Sequence, residues 1–161
     1  MLRSSAIVLG VVAFMALMLY ATSWSVRGWV AAAQWDGKST LECFGSTVMT
    51  VRGRTVNTGS ATAAIIHAAG NCELEIIDCN LSGTLVLEGG GNAHVTVRNS
   101  KLNGGLDVAG NVRLDLYASS VTVALPARAG VSGNARVAFH NSGLDGNLMH
   151  TWTPVGRGYR A

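Results

Sequence analysis

The residues best suited to binding or chemistry are five polar and aromatic side chains in the second half of the chain. They combine imidazole, guanidinium, carboxylate and phenol groups, which can hydrogen-bond to sugars and stack on them. A sugar-binding face is one interpretation. The other, which the mixture of opposite charges favours, is a solvated surface on which neighbouring strands attract each other. These candidate binding residues are His94, Arg98, Asp115, Tyr117 and His140.

The sequence predicts no catalytic residue and no metal site. Enzymes that cleave polysaccharides cluster their carboxylates for acid–base chemistry or for calcium, but Asp78, Asp107 and Asp145 fall at different positions of the repeat described below. The three cysteines form no C-x-x-C pair, and no histidines gather near them. We therefore expect no metal ion or other cofactor, and the sequence favours a protein that is not an enzyme.

The candidate residues belong to an internal repeat. After each Gly-Asn pair, apolar and polar residues alternate, as at Leu74 and Ile76, and a period of two predicts a β-strand. A strand-and-turn unit repeated at this length predicts stacked coils. The separations between the pairs are 21, 19 and 23 residues. The pairs begin at Gly70, Gly91, Gly110 and Gly133.

Each repeat predicts one coil with its parts in the same order. The strand ends at a corner of small or polar residues, because Asn and Asp tolerate a left-handed backbone. A return strand then leads to the next Gly-Asn pair, and we assign these strands to residues 85–87, 106–108 and 123–125. Aligning the coils places the outward residues in three columns. The columns are Glu73, His94, Arg113 and Arg136; Glu75, Thr96, Asp115 and Ala138; and Ile77, Arg98, Tyr117 and His140.

The predicted fold class is all-β, a parallel β-helix or β-solenoid of about five coils with a mean period of about 21 residues. A weaker first coil begins at Gly45, and the domain spans residues 34–150. Uneven spacing predicts insertions at 57–62 and 126–132. A β-sandwich built of hairpins is the less favoured alternative, since hairpin strands need not repeat one motif in one phase.

The N-terminal residues 1–33 predict a signal peptide or a membrane anchor. A short basic start precedes 15 uncharged residues, Ala6 to Tyr20, as in export signals. Ala21–Ser23 and Ala31–Ala33 offer cleavage sites, whereas an uncleaved hydrophobic helix over residues 6–26 has the length to span a bilayer. Both alternatives place the solenoid outside the cytoplasm, in the periplasm, at the cell surface or in the medium.

Export predicts a disulfide bond, because an oxidising compartment favours pairing of cysteines. Cys72 and Cys79 lie at opposite ends of one predicted strand, about 20 Å apart, which is too far for a bond. Cys79 also occupies a corner column otherwise held by serine. We therefore predict a bond between Cys43 and Cys72 that links the first coil to the second.

The chain resembles small exported bacterial β-solenoid families that are classed as domains of unknown function. The resemblance rests on Leu41-Glu42-Cys43, the alternating valine strands, Gly70-Asn71-Cys72 and the later Gly-Asn repeats, and covers about residues 38–147. Such families imply a signal sequence and a β-solenoid, and they imply no catalytic residues. The third cysteine and the irregular coil lengths depart from the simplest pattern of these families.

The expected partners follow from location and charge. Without residues 1–33 the chain keeps ten basic and nine acidic residues, so it lacks the basic stripe of a nucleic-acid-binding protein. We expect a structural or interaction role at the cell envelope, with an envelope protein or a glycan as partner. A carbohydrate-binding or carbohydrate-active β-helix is the alternative.

The ends of a solenoid expose open sheet edges and need covers. Residues 26–36 predict a short helix over the first coil, and residues 148–152 predict a segment folded over the last coil. The tail, residues 151–161, is expected to be flexible. An uncovered end predicts self-association of the solenoids end to end.

Overall fold

The structure is a computed structural model that describes residues 32–59, 63–123, 129–146 and 148–150. These residues form a parallel β-solenoid of about five coils, which confirms the predicted fold class and a period of about 21 residues. The predicted export or anchor helix at residues 6–26 lies outside the described residues. The tail predicted at residues 151–161 also lies outside them.

One wall of the solenoid is a five-stranded sheet in which every neighbouring pair of strands is parallel and each coil supplies one strand. Its strands lie in the order β12-β9-β7-β5-β2. Their bounds are Val48–Arg52 for β2, Glu73–Ile77 for β5, His94–Arg98 for β7, Arg113–Tyr117 for β9 and Arg136–His140 for β12.

The remaining wall is a nine-stranded parallel sheet formed by the corner strands and the return strands. In the second and third coils these two parts join into the single long strands β6 and β8, whose pairing is interrupted by register shifts between Ser82 and Leu87. The bounds are Leu41–Cys43 for β1, Thr55–Asn57 for β3, Ile66–Ala68 for β4, Asn80–Gly89 for β6, Lys101–Val108 for β8, Ser120–Thr122 for β10, Ala129–Val131 for β11, Gly143–Asp145 for β13 and Leu148–His150 for β14.

The strands form because their apolar residues alternate toward the interior. Leu114 and Leu116 of β9 are fully buried, and they lie in register with Val95 and Val97 of β7. Stacked aliphatic side chains remove apolar surface from water along the whole axis. Each Å² buried in this way stabilises the fold by about 25 cal/mol. Among the described residues the buried polar or charged side chains are Ser100, Ser119 and Asp115, so most groups that could do chemistry lie on the outward residues.

The Gly-Asn pairs form the turns that open each coil, as predicted. Gly110 has a φ of +79°, and a Cβ atom there would lie 3.0 Å from the carbonyl oxygen of Gly91 in the coil before. Glycine is required both for the left-handed backbone and for the close approach of the coils. The asparagines stack as an amide ladder, in which Asn111 Nδ2 donates to Asn92 Oδ1 over 2.9 Å.

The predicted return strand of the fourth coil, residues 123–125, is wrong. Its place beside Leu106–Val108 of β8 is taken by Ala129–Val131, so the insertion lies between Thr122 and Ala129. The reason is that a fixed number of residues separates the end of each return strand from the Gly-Asn turn that follows it. Val131 precedes Gly133 by two residues, as Val108 precedes Gly110, and a strand at 123–125 would be too far from its turn.

The two ends of the solenoid are built differently. Residues 32–34 form a helical turn, and Ala32 and Trp35 are buried in the core above the first coil, which confirms the predicted N-terminal cover in this part. Arg54 Nη2 fixes it by donating to the carbonyl oxygen of Ala33 over 2.6 Å. Leu148–His150 does not fold over the last coil but pairs with β11 as β14.

Candidate functional site

The outward face of the five-stranded sheet gathers the candidate binding residues, and we call it the charged face. Its strands pair without a register shift, so the predicted columns are correct. Glu73, His94, Arg113 and Arg136 follow one another across the sheet. The second and third columns, through Asp115 and through Tyr117, run beside the first in the same register.

Asp115 is the centre of the charged face. Its side chain is only 5% exposed, although it lies on the outward side of β9. Arg113 Nε donates to Asp115 Oδ2 over 2.6 Å, His94 Nε2 lies 3.1 Å from the same oxygen, and His140 Nε2 lies 3.7 Å from Asp115 Oδ1. Three neighbouring side chains thus screen one carboxylate from water, which residue spacing alone did not indicate.

The contacts of Asp115 decide its charge. Burial opposes ionisation of the carboxyl, but the hydrogen bonds and charges of Arg113 and His94 outweigh it and hold the pKa of Asp115 below its ordinary value. The same hydrogen bond raises the pKa of the Arg113 guanidinium. Asp115 is therefore an anion at neutral pH, and a group this strongly held is poorly suited to exchange protons with a substrate.

Tyr117 lies between two neighbours along its column. The Arg98 guanidinium carbon is 4.6 Å from the centroid of the tyrosine ring, and the His140 ring stacks on the ring at 4.4 Å with an interplanar angle of 9°. Arg98 also bonds to Glu75 through a 3.0 Å contact. Because both faces of Tyr117 are in contact with side chains of the protein, this ring offers no open face for stacking on a sugar.

The corner beside the charged face forms a second set of ladders. Asn99 Nδ2 donates to Asp78 Oδ1 over 2.7 Å, and both residues have a left-handed backbone, as has Ala118. The predicted hydrogen-bonded corner ladder is therefore present between these coils. A shallow depression lies at this corner. It is lined by Asn99, Ser100, Lys101, Ala118, Ser119, Ser120 and Asn141.

The cysteines fall as predicted. Cys43 and Cys72 form a disulfide bond with Cα atoms 5.8 Å apart, which joins the first two coils. Cys79 is a buried free thiol in the serine column, where its backbone N–H donates to Ser100 Oγ over 3.0 Å. Burial raises the pKa of the Cys79 thiol, although a hydrogen bond from the backbone of Arg54 opposes the shift. The thiol is thus protonated and structural rather than nucleophilic.

The described residues contain neither a metal-binding cluster nor a membrane-spanning helix. Among them, no group of three or more His, Cys, Asp or Glu side chains is placed to hold a metal ion. None of the described helical residues belongs to a helix with the length and apolar character to cross a bilayer. The Asp115 carboxylate instead contacts Arg113, His94 and His140.

The comparisons with known proteins give no family. No protein-family model, no curated protein and no solved structure matches the chain. What can be said of its activity therefore rests on its own residues.

All five predicted binding residues lie on the charged face and contact one another directly or through one neighbour. Arg113 was missed as a member, although it contacts Asp115 more closely than either histidine. Its signal was available in the sequence, because Arg113 and Asp115 are two residues apart on one strand face. Glu75 was likewise listed only as a column member, and it is the ionic partner of Arg98.

Proposed function

We propose that the protein is an exported or membrane-anchored β-solenoid with a structural or interaction role at the cell envelope and no catalytic activity. The observation that supports this most is the internal pairing on the charged face. Asp115 is engaged by Arg113 and His94, and Arg98 is engaged by Glu75 and Tyr117. A catalytic acid, base or nucleophile must keep a group available to the substrate, whereas these groups stabilise neighbouring coils.

Two features of the chain support the envelope as the location. A disulfide bond joins Cys43 and Cys72, and such bonds persist in oxidising compartments outside the cytoplasm. The uncharged run within residues 6–26 supplies an export signal or an anchor. The resemblance to small exported bacterial β-solenoid families belongs to the same proposal, as does the division into an N-terminal segment of residues 1–33 and a solenoid.

The alternative is a carbohydrate-binding protein, and one observation favours it. His140 lies on β12, the last strand of the five-stranded sheet, and its side chain is 46% exposed. One face of its ring stacks on Tyr117, which leaves the other face directed away from the sheet. That face, with Arg136 on the same strand, is the part of the charged face best placed to meet a sugar.

A glycan array and a calcium-dependent lyase assay on the full-length protein separate the two functions. The scaffold function predicts no binding and no cleavage in either assay. Glycan binding that His140→Ala abolishes would contradict it and support the alternative. The matched control is Glu88→Ala, because Glu88 is an exposed charged residue on the nine-stranded sheet, and its loss should leave any binding to the charged face unchanged.

The envelope location has its own test. We expect thiol labelling of the protein in intact cells, followed by mass mapping, to find Cys43 and Cys72 joined. N-terminal sequencing should find a start after residue 23 or residue 33 for a cleaved signal, or a start at Met1 for an anchor. Both cysteines free in a cytoplasmic fraction would contradict the location without bearing on the fold.

A further inference from the structure

We infer that the C-terminal end of the solenoid pairs with the same end of a second copy of the chain, as a two-fold dimer centred on Ala138 of β12. The inference goes beyond the proposed function, because it names a partner and the atoms that meet. It rests on the hydrogen-bonding groups of β12, on the uncovered apolar residues beneath them and on the residues that follow β14.

The backbone of β12 directs hydrogen-bonding groups out of the end of the solenoid. Arg136 donates its N–H to Val112 of the coil before, and the carbonyl oxygen of His140 accepts from Ala118. In a parallel ladder, alternate residues bond to opposite neighbours. Val137 and Phe139 therefore direct their N–H and C=O groups toward the open side, where no described residue pairs with them.

The side chains of the same two residues are incompletely covered. Val137 and Phe139 are only partly buried, and so is Leu144 on β13, whereas the equivalent residues one coil earlier, Leu114 and Leu116, are fully buried. An apolar patch and strand groups without a partner among the described residues thus coincide at one end. Such an edge is a template for another strand.

In sequence, the residues that follow β14 match the repeat poorly. His150 pairs with Val131, so the same register would place Trp152 over Gly133 and would place glycines, Gly156 and Gly158, over Val137 and Phe139. The Gly133 column needs a left-handed backbone, and a Cβ there would lie 3.0 Å from the carbonyl oxygen of Gly110. A tryptophan does not fit that column, and glycines cannot cover the apolar patch.

The geometry of β12 is self-complementary. If two copies of β12 meet antiparallel about Ala138, Val137 of each copy lies opposite Phe139 of the other. Each such pair exchanges two N–H···O=C bonds, so the four outward-directed groups of each copy are all satisfied. The half-buried side chains then cover one another, and Ala138 faces Ala138 across the axis with Cα atoms about 4.5 Å apart.

The other end of the solenoid determines the form of the assembly. Among the described residues β2 is also an edge strand of the five-stranded sheet, but its inward residues Met49 and Val51 are at most 3% exposed and share one core with Ala32 and Trp35. A head-to-tail filament would need an uncovered apolar patch at both ends, whereas an isologous contact between two such patches closes on itself. Self-association is therefore limited to a dimer.

The test is oxidative cross-linking of Ala138→Cys in the full-length protein. A Cα separation near 4.5 Å suits a disulfide bond, so most of the variant should run as a reducible dimer on a non-reducing gel. The control is Thr96→Cys, which lies in the same outward column but two coils inside the solenoid. This variant should form no reducible dimer on the same gel, and neither should the unmodified chain, whose free Cys79 is buried.

A second pair of variants keeps the inference testable if the introduced cysteine disturbs folding. In sedimentation experiments the unmodified chain should show a monomer–dimer equilibrium. Ala138→Lys places like charges across the axis and should raise the dimer dissociation constant about tenfold or more, whereas Thr96→Lys should leave it unchanged. Equal cross-linking of Ala138→Cys and Thr96→Cys, a strict monomer, or masses beyond a dimer would each overturn the inference.

Discussion

The first and last coils of the solenoid have the same strand pattern but differ in how their apolar residues are covered. At the first coil, Met49 and Val51 are at most 3% exposed beneath the N-terminal cover. At the last coil, their counterparts Val137 and Phe139 are only partly buried. A repeat protein gains stability from contacts between neighbouring coils, so a terminal coil depends on something outside the repeat. Here the head has its own cover and the tail has a second copy as its proposed cover.

The two ends also differ in the kind of interaction that stabilises them. The head is fixed by features that occur once, namely Trp35, the Arg54 contact to Ala33 and the Cys43–Cys72 bond. The ladders of asparagine and serine run on to the tail, where Asn134 and Ser142 are the last members in the described residues. Repetition therefore builds the body of the solenoid, and single residues determine its ends.

The largest expected effect comes from the cover of the head. Trp35→Ala removes a buried indole above the first coil and should lower the free energy of unfolding by about 3–5 kcal/mol. Phe139→Ala, the matched change at the tail, should cost about 2 kcal/mol or less in dilute protein, because this ring is only partly buried. Urea unfolding at low protein concentration measures both. Equal losses at the two ends would show that the tail is covered as well as the head.

The next effect comes from the disulfide bond, which has no counterpart among the described residues of the last coils. The bond closes a 29-residue separation, and its loss should lower the free energy of unfolding by about 3.5 kcal/mol on chain-entropy grounds. Thermal melts of Cys43→Ala/Cys72→Ala measure the loss. Cys79→Ser is the control, since serine is the usual residue of that column, and it should change the melting temperature little.

Asp115 gives a pH-dependent effect near the tail. Its pKa is lower in the folded protein than its ordinary value, so its ionised contacts stabilise the fold above about pH 4, and this contribution is lost as the pH falls toward the folded pKa. Asp115→Asn should cost about 2 kcal/mol at pH 7, and the cost should shrink below pH 4. Urea unfolding of both proteins from pH 7 to pH 3 measures it. Asp107→Asn, at an exposed site, should show no such cost at pH 7.

The smallest effect is a gain at the corner ladder. Ala118 has a left-handed backbone, with a φ of 47°, between Asn99 and Asn141, which share that conformation. A left-handed backbone costs alanine about 1 kcal/mol, and asparagine tolerates it while offering an amide to its neighbours. Ala118→Asn should therefore raise the free energy of unfolding by about 1 kcal/mol. A loss of stability in a thermal melt would show that the ladder does not extend toward the tail.

The body of the solenoid could be predicted from the sequence because each feature of the sequence pattern recurs in several coils. The Gly-Asn turns recur, and the alternation around Leu74 and Ile76 recurs in the next three coils, so an error in one coil would conflict with the others. The return strand of the fourth coil was misplaced where repetition fails. There the insertion before Ala129 breaks the spacing, and only the fixed distance from Val131 to Gly133 locates the strand.

The sequence predicted which residues share a column of the charged face, but it did not predict which side chains are buried or stacked there. Register placed His94, Asp115 and His140 near one another, as the structure shows. The burial of Asp115 and the stacking of Arg98, Tyr117 and His140 depend on side-chain conformations, which a periodic pattern does not determine. The head cover could be predicted only as a short helix over residues 26–36, because Trp35 lies outside the repeat and no register determines where its ring packs.

The most direct test of the closed head and open tail is amide hydrogen exchange in the full-length chain over a range of protein concentrations. The amides of Leu114 and Leu116 point into the sheet and should exchange slowly at every concentration. Those of Val137 and Phe139 should exchange quickly in dilute protein and slowly once dimers form. Slow exchange of Val137 and Phe139 in dilute protein would contradict an open tail, and fast exchange at all concentrations would contradict its pairing with a second copy.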